Sequence, residues 1–236
     1  MISIVMPAYN EAEIIETSVR EWHQEVVSRI VGSELIVVND CSTDATGEIL
    51  ARLAGELPGL RPVTPDRNAG HGQALLYGYR LATQPWVFQT DSDRQHVPAE
   101  FWSLWELRES RDFVFGARNA RADGLTRACI STVMRLLNYA LWRTWIRDAN
   151  CPFKLMRREA LERVLARVPK DTFIPMVMVS VLARTMGFRV AEVAVTHVPR
   201  RGGTQSLAGL GKWCRVGFRC AKELAAHRNA VRWSAD

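Results

Sequence analysis

The sequence predicts an α/β protein with a mostly parallel sheet flanked by helices. Along its first half, short apolar runs rich in Ile and Val alternate with segments in which apolar residues recur every three or four positions. Nearly half of the 236 residues are hydrophobic and about a quarter are charged, which suits a globular chain with a sizeable core. A single domain over residues 1–236 is therefore expected.

The predicted elements follow in strict alternation. The strands "ISIVMPAY" and "ELIVVND" are separated by the helical segment "EAEIIETSVREWHQEVVSRI". The segment "STDATGEILARLAGEL" predicts a helix capped by Ser42 or Thr43, and "LRPVT" predicts a third strand. A helix over residues 70–82 and the strand "WVFQTD" complete the series. Strands joined by helices run parallel, so their carboxyl ends, where ligands bind in such sheets, meet at one edge.

Charge and cysteine content narrow the function classes. The net charge of +6 indicates an anionic partner, which is nucleic acid, a phosphorylated substrate or an acidic membrane face. The five cysteines are odd in number and show no C-x-x-C spacing, so neither a disulfide framework nor a zinc site is indicated. No stretch reaches the roughly 18 apolar residues of a membrane span, and the first residues lack a signal peptide pattern. A cytoplasmic chain is expected.

Polar side chains follow the fourth predicted strand in "QTDSDRQHVP". Alternate side chains of an extended chain share a face, so Asp91, Asp93 and Gln95 project together if the backbone stays extended through Arg94. Two carboxylates and an amide oxygen form a hard ligand set that suits Mg²⁺ or Mn²⁺, and a cation relieves the repulsion between the carboxylates. The alternative is that Asp93 caps a helix that begins near Pro98.

Four segments stand in the order and spacing of a known enzyme family: "SIVMPAYNEAEII", "ELIVVNDCSTDAT", "RNAGHGQALLYGYRLA" and "VFQTDSDRQHVPAE". The chain resembles the family 2 glycosyltransferases, in particular the branch of dolichol-phosphate mannose synthase and bacterial polyprenyl-phosphate glycosyltransferases. Beyond residue 120 the resemblance is weaker and rests on "DANCPFKLMRREAL" and "EVAVTHVPRRGGTQS". It implies a Rossmann-like GT-A fold in which residues 1–120 bind a nucleotide-diphosphate sugar and residues 121–236 bind the acceptor.

The resemblance also implies a donor site. Asp91, Asp93 and Gln95 would hold Mg²⁺ or Mn²⁺ against the diphosphate of a UDP- or GDP-linked sugar, with Asp91 also in contact with the nucleotide. Tyr9 packed in the core and an Asx-turn begun by Asp40 are the alternatives from the residues alone. The residues that would frame the nucleoside are Pro7, Tyr9, Glu11 and Asp40.

Basic residues are candidates for phosphate binding because arginine forms forked hydrogen bonds to phosphate oxygens. Relatives commonly read Arg-x-x-Gly-x-Ser-Lys in the later loop, whereas this chain reads "RRGGTQS" and lacks the lysine. His71 stands where many relatives have lysine, and it faces either the nucleotide or solvent. A solvated surface charge is the alternative for each arginine in so basic a chain. The arginines at the family's basic positions are Arg118, Arg127, Arg200 and Arg201.

The implied reaction is a single displacement at the anomeric carbon with inversion of configuration. The metal and the arginines, with Arg118 and Arg201 as catalytic candidates, stabilise the leaving group. Asp148 matches a position that often carries Asp in this branch. It would orient a catalytic group or act as the general base, with a turn residue as the alternative. A phosphate acceptor is largely dianionic at neutral pH and needs no base, whereas a hydroxyl acceptor does. No carboxylate other than Asp148 stands out as a base, which favours a polyprenyl phosphate acceptor over a soluble hydroxyl compound.

The C-terminal segment of residues 200–232 has eight Arg or Lys residues and one acidic residue, Glu223. A helix there would place Lys212, Arg215, Arg219 and Lys222 on one face, which can lie on an anionic membrane where a lipid-linked acceptor is found. An ordinary surface helix packed on the sheet is the alternative. Peripheral contact with the inner face of the membrane is therefore a second expectation for the location of the chain.

Other function classes fit the residues less well. A dinucleotide-dependent dehydrogenase places G-x-G-x-x-G after its first strand, where this chain has "PAYNEAE". A sugar-phosphate nucleotidyltransferase has a Gly-rich basic signature at its first turn, which is also absent. Nucleic-acid binding explains the charge but not the Asp-x-Asp strand end, so no nucleic-acid partner is expected. A non-catalytic nucleotide-sugar-binding protein keeps every binding residue and is separated from an enzyme only by measuring turnover.

Overall fold

The computed structural model describes residues 1–119, 136, 139–170, 172–199, 219, 222–223 and 225–227. Within these residues seven strands form one sheet. The strands are β1 (Ile2–Ala8), β2 (Glu34–Asn39), β3 (Leu60–Val63), β4 (Trp86–Gln89), β5 (Phe113–Arg118), β6 (Lys154–Arg157) and β7 (Val190–Val195). Their order across the sheet is β3-β2-β1-β4-β6-β5-β7.

Six α-helices lie wholly within the described residues and flank the sheet. They are α1 (Ile15–Glu25), α2 (Thr46–Glu56), α3 (His71–Leu81), α4 (Phe101–Trp105), α5 (Arg158–Leu165) and α6 (Pro175–Thr185). The strand and helix series predicted up to β4 is confirmed. Within the same described residues, the helices are all too short or too polar to cross a bilayer.

The predicted cap of α2 is wrong. The helix begins at Thr46, and its N-cap residue is Ala45, which makes no side-chain cap bond. Ser42 Oγ instead accepts the backbone N–H of Asn10 at 3.0 Å, and Asp44 Oδ1 accepts the backbone N–H of Thr46 at 3.0 Å. Ser42 therefore holds the loop after β1, and Asp44 rather than Ser42 or Thr43 binds the first backbone N–H of the helix.

Strand direction determines what meets at the functional edge. All neighbouring pairs are parallel except those of β6, which runs antiparallel to both β4 and β5. The mostly parallel α/β sheet is thus confirmed. Because β6 runs the other way, its amino end lies at the same edge as the carboxyl ends of the six other strands. The residues just before Lys154 therefore join the loops that follow β1, β2, β4 and β5.

Alternating side chains build one core on each face of the sheet. One face packs β-strand residues such as Val5 and Phe115 against α3, α5 and α6. The other packs residues such as Ile4 and Phe88 against α1, α2 and α4. Helix α3 lies directly on β1, because a Cβ at Gly78 would overlap Val5 Cγ1. This close packing fixes the start of α3 beside the ends of β2 and β4.

Candidate active site

The loops that follow three neighbouring strands share an unusual backbone conformation. Asn10 after β1, Cys41 after β2 and Arg94 after β4 have φ values of 53°, 56° and 58°. In the described chain they are three of the four non-glycine residues with positive φ. Such conformations are costly for L-residues and persist where the surroundings hold them, often at functional sites. The carboxyl edge of the sheet is therefore the strained edge of this fold.

The predicted nucleoside-binding residues of β1 differ in exposure. Pro7 is buried, and it removes no sheet hydrogen bond because the pairing of β1 with β4 ends at Val5. Tyr9 is 49% exposed, so the alternative that it packs in the core is wrong. Glu11 is buried, and its backbone N–H donates to Thr46 Oγ1 at 2.9 Å. Tyr9 thus offers an exposed ring at the edge where ligands bind.

Asp40, the second predicted nucleoside contact, is 2% exposed and tied to the loop before α3. Its Oδ1 accepts the backbone N–H of Ala69 at 3.0 Å, and its Oδ2 accepts that of Gly70 at 2.8 Å. The Asx-turn before Ser42 belongs to Asn39, whose Oδ1 accepts the Ser42 N–H at 3.1 Å. Each carboxylate oxygen of Asp40 retains a second lone pair, so a nucleobase N–H remains compatible with these bonds.

Asp91 forms an ion pair with His71, the first residue of α3. His71 Nε2 lies 3.0 Å from Asp91 Oδ1. Burial alone would lower the pKa of His71, but the charge of Asp91 raises it above the ordinary value. Burial alone would raise the pKa of Asp91, but His71 and more weakly Arg118 hold it below the ordinary value. The first carboxylate of the Asp-x-Asp pair is therefore kept ionised.

Asp93 and Gln95 follow a bent path, so the expectation of an extended chain through Arg94 is wrong. The left-handed φ of Arg94 allows Asp93 Oδ1 to accept the backbone N–H of Gln95 at 3.1 Å. Asp93 does not cap the short 3₁₀ turn Pro98–Glu100, which has no side-chain cap bond. The roles of Asp91, Asp93 and Gln95 as metal ligands stay predictions.

The ligand chemistry at this loop fits a hard cation. No group of three His, Cys, Asp or Glu side chains within the described residues is placed to cage a metal ion. Mg²⁺ is usually held by one or two carboxylates together with substrate phosphates and water rather than by an all-protein cage. Two aspartates and an amide oxygen at an open sheet edge match that mode of binding.

Arg118 and Asp148 form a forked ion pair at the same edge. Arg118 ends β5 and Asp148 precedes β6, which brings the two residues together across the sheet. Arg118 Nε donates to Asp148 Oδ2 at 2.6 Å, and Nη2 donates to Oδ1 at 3.0 Å. The side chains are 13% and 9% exposed. Burial alone would lower the pKa of Arg118, but Asp148 raises it, so the guanidinium stays charged.

The exit of β7 lies against the Asp-x-Asp loop. Val198 N–H donates to the Gln95 carbonyl at 2.9 Å, and Gln95 Nε2 donates to the Val198 carbonyl at 3.2 Å. The rings of His96 and His197 meet at a centroid distance of 5.6 Å. Burial lowers the pKa of His96 to about 4, so this ring is neutral. The predicted phosphate ligands Arg127, Arg200 and Arg201 lie outside the described residues.

Sequence reasoning missed Lys154, a buried lysine in the middle of the sheet. Its Nζ donates to the Ala149 carbonyl at 3.0 Å and to Ser180 Oγ at 2.8 Å, and it lies 4.6 Å from the centre of the Phe115 ring. Burial lowers the pKa of Lys154 to about 8. Because Ala149 follows Asp148, the lysine supports the turn that carries the ion pair. A lysine inside the apolar run "CPFKLM" was the available signal.

A pocket of about 470 Å³ opens beside Asp40. Pro65, Arg67, Ala69 and Tyr77 contribute to its wall. A second pocket, of about 500 Å³, lies between the end of α3 and the residues after α5, and Arg80 lines both. Of these two pockets, the one beside Asp40 is lined by a predicted nucleoside-binding residue, so it is the candidate pocket for a nucleoside.

Comparison with known proteins agrees with this architecture. Residues 3–165 match the family model described as Glycosyl transferase family 2. The chain is 30% identical over 207 residues to the undecaprenyl-phosphate 4-deoxy-4-formamido-L-arabinose transferase of Yersinia enterocolitica, a match that covers 86% of this chain and 61% of that protein. The chain thus spans about three-fifths of the length of the curated relatives it matches.

Solved structures share the fold at low sequence identity. Glucosyl-3-phosphoglycerate synthase from Mycobacterium tuberculosis, in complex with Mn²⁺, UDP and phosphoglyceric acid, has a TM-score of 0.70 at 22% identity, over 97% of this chain and 78% of that one. A mannosyltransferase from Pyrobaculum calidifontis, in complex with GDP-Man and Mn²⁺, has a TM-score of 0.62 at 20% identity, over 100% and 75%. The match to the family model covers more than half of the chain, which therefore belongs to glycosyl transferase family 2.

Proposed function

We propose that the chain transfers a sugar from a nucleotide-diphosphate sugar to a polyprenyl phosphate, with inversion at the anomeric carbon and a divalent metal at the donor site. One observation carries the proposal: the fold brings the Asp91–Asp93 loop and the Arg118–Asp148 pair to the same edge of the sheet. Membership of glycosyl transferase family 2 supports the reaction class.

Asp91, Asp93 and Gln95 would hold Mg²⁺ or Mn²⁺. Bound there, the metal would neutralise charge on the departing nucleotide diphosphate. Among this chain's own groups, His71 keeps Asp91 ionised, and Arg118 adds a fixed positive charge at the same edge. Two solved structures of this fold carry Mn²⁺ with a UDP or GDP compound, which supports a metal at this position.

The nucleoside would lie at the ends of β1 and β2. Tyr9 offers an exposed ring as a flat wall, while Pro7 and Glu11 form the buried floor. Asp40 would accept a hydrogen bond from the base with its remaining lone pairs, next to the pocket beside Tyr77. Thermal stabilisation by UDP-sugars or by GDP-sugars identifies the base as uracil or guanine.

Two features favour a phosphate as the acceptor. Both oxygens of Asp148 accept hydrogen bonds from Arg118, which suits a structural ion pair better than a general base. A phosphate acceptor needs no base. The relatives named as undecaprenyl-phosphate transferases support a lipid-linked acceptor. We place Arg118, Arg127, Arg200 and Arg201 as ligands of the phosphates at this edge, those of the leaving nucleotide diphosphate and of the acceptor.

A soluble phosphorylated compound is the second candidate acceptor. The synthase from Mycobacterium tuberculosis, which shares the fold, was solved with phosphoglyceric acid. For the lipid acceptor, we propose a cytoplasmic protein in peripheral contact with the inner face of the membrane, where the basic residues 200–232 meet anionic lipid. In the described part of that segment, Arg219 lies 4.2 Å from the centre of the Phe173 ring, and Glu223 accepts a hydrogen bond from Thr172.

The donor is tested by thermal stabilisation with UDP-, GDP- and TDP-sugars, each with Mn²⁺ or with EDTA. The acceptor is tested by product formation with undecaprenyl phosphate in vesicles and with phosphoglyceric acid in solution. We expect metal-dependent stabilisation by one donor class and transfer to the lipid. Stabilisation by no donor would contradict the proposal, whereas transfer only to the soluble compound would contradict the lipid acceptor alone.

A further inference from the structure

The loop of residues 91–95, called here the D-x-D-x-Q loop, carries all three predicted metal ligands on a bent backbone. We propose that Glu21 of α1 is a positioning residue for this loop and acts through Arg94. The inference rests on the proposed function, because it gives the loop the task of holding a metal and a diphosphate.

Glu21 and Arg94 form a forked ion pair between α1 and the loop. Arg94 Nε donates to Glu21 Oε2 at 3.1 Å, and Arg94 Nη2 donates to Glu21 Oε1. The Arg94 side chain is 24% exposed and the Glu21 side chain 39%, so the pair lies at the protein surface and is partly screened by solvent. Its two parallel bonds fix the orientation of the guanidinium as well as its position.

The ion pair acts at the one residue of the loop whose backbone is strained. Arg94 lies between Asp93 and Gln95 with a φ of 58°, a conformation that a non-glycine residue leaves unless other contacts hold it. If Arg94 relaxed to an extended conformation, the bond from the Gln95 N–H to Asp93 Oδ1 would be lost. The spacing of the predicted ligands therefore depends on what holds Arg94.

A second contact holds the loop on the other side of Arg94. Gln95 Nε2 donates to the Val198 carbonyl, so Gln95 Oε1, the amide atom able to bind a cation, faces away from Val198. The orientation of this amide is useful only if the backbone before it is also fixed. Glu21 supplies that support from α1 without reaching the reacting atoms, which makes it a positioning residue.

Helix α1 offers a matched control one turn away. Glu16 forms ion pairs with Arg20 of α1 and Arg52 of α2. It has the same chemistry and similar exposure as Glu21, at 39% for both side chains. Glu16→Ala therefore removes ion pairs of α1 with arginine without touching the D-x-D-x-Q loop.

The first measurement is hydrogen exchange of a peptide spanning residues 91–97 in protein without metal or nucleotide. We expect Glu21→Ala to speed exchange about fivefold, and Glu16→Ala to leave it unchanged. Arg94→Gly should tolerate the loss of Glu21, because glycine adopts positive φ without strain. Exchange in Glu21→Ala/Arg94→Gly should then equal that in Arg94→Gly alone, which marks the two residues as one coupled unit.

The second measurement is the Mn²⁺ concentration that gives half-maximal turnover. Glu21→Ala should raise it about fivefold while turnover at saturating Mn²⁺ is largely retained, because the ligands are present but less well ordered. Equal behaviour of Glu21→Ala and Glu16→Ala in both measurements would overturn the inference. Wild-type turnover that is undiminished in EDTA would instead overturn the proposed metal site. The exchange measurement needs no metal, so it still tests whether the Glu21–Arg94 ion pair holds the loop.

Discussion

The ends of β2 and β4 present the same sequence signal, a buried apolar strand followed by aspartate, and the fold uses the two aspartates differently. Asp40 directs both carboxylate oxygens to backbone N–H groups of Ala69 and Gly70. Asp91 instead faces ionisable side chains, with His71 at 3.0 Å and the charge of Arg118 at the same edge. Asp40 therefore holds the loop before α3 in place, whereas the carboxylate of Asp91 pairs with a side chain at the edge where ligands bind.

Asp93→Asn is expected to have the largest effect, and on turnover rather than stability. The amide keeps the shape of the side chain but removes an anionic ligand, so turnover should fall about a thousandfold, or about 4 kcal/mol of transition-state stabilisation. The free energy of unfolding should change by less than about 1 kcal/mol. Initial rates with Mn²⁺ and urea unfolding measure the two. Full turnover of Asp93→Asn without metal would contradict a metal site at the end of β4.

Arg118→Met tests whether the Arg118–Asp148 ion pair stabilises the fold. Removing one partner of a largely buried ion pair leaves Asp148 without its guanidinium, so the free energy of unfolding should fall by about 3 kcal/mol. Arg118→Met/Asp148→Leu should recover much of this loss, which urea unfolding of both variants measures. A loss below about 1 kcal/mol would show that the pair contributes little to the scaffold.

Asp40→Ala should act mainly on stability. Two backbone N–H groups lose their acceptor, and because the loop of Ala69 and Gly70 is exposed, water partly replaces it, so we expect a loss of about 2 kcal/mol. Nucleotide affinity should weaken as well, since the same carboxylate borders the nucleoside pocket. Urea unfolding and nucleotide titration separate the two effects. Weakened affinity at unchanged stability would place Asp40 with Asp91 as a ligand group.

Lys154 tests how the burial of a charged group affects stability when its hydrogen-bond partners are a backbone carbonyl and a hydroxyl. Its pKa is lowered to about 8 from an ordinary value of 10.5, so between these values the unfolded chain binds more protons than the folded chain. Stability should therefore rise with pH across this window, by about 1 to 2 kcal/mol between about pH 7.5 and about pH 9.5, relative to Lys154→Met. Urea unfolding at both pH values tests this, and parallel pH profiles of the two proteins would contradict it.

The elements up to β4 could be predicted because their signals are local. Alternating strand and helix periodicities between residues 1 and 90 determine a parallel arrangement, and the carboxyl edge follows from it. The pairing of β6 between β4 and β5 has no such local signal, because an antiparallel insertion depends on contacts far apart in the chain. The sequence therefore predicted the edge but not the arrival of Asp148 there from the opposite strand direction.

Candidate site residues could be predicted by type, but their partners could not. Arg118 and Asp148 were assigned separate roles, and the structure joins them across 30 positions of sequence. Glu21 lies 73 positions from Arg94. The left-handed φ of Arg94 has no sequence signal either, because arginine rarely adopts this conformation. Such contacts depend on tertiary packing of α1 beside β4, which periodicity does not specify.

We expect the β4 strand end, and not the β2 strand end, to hold the metal. Anomalous diffraction from a crystal soaked with Mn²⁺ and UDP or GDP tests it most directly. We expect one manganese peak within coordination distance of a carboxylate oxygen of Asp91 or Asp93, with no peak at Asp40. A peak coordinated by Asp40, or nucleotide bound at this edge without manganese, would contradict it.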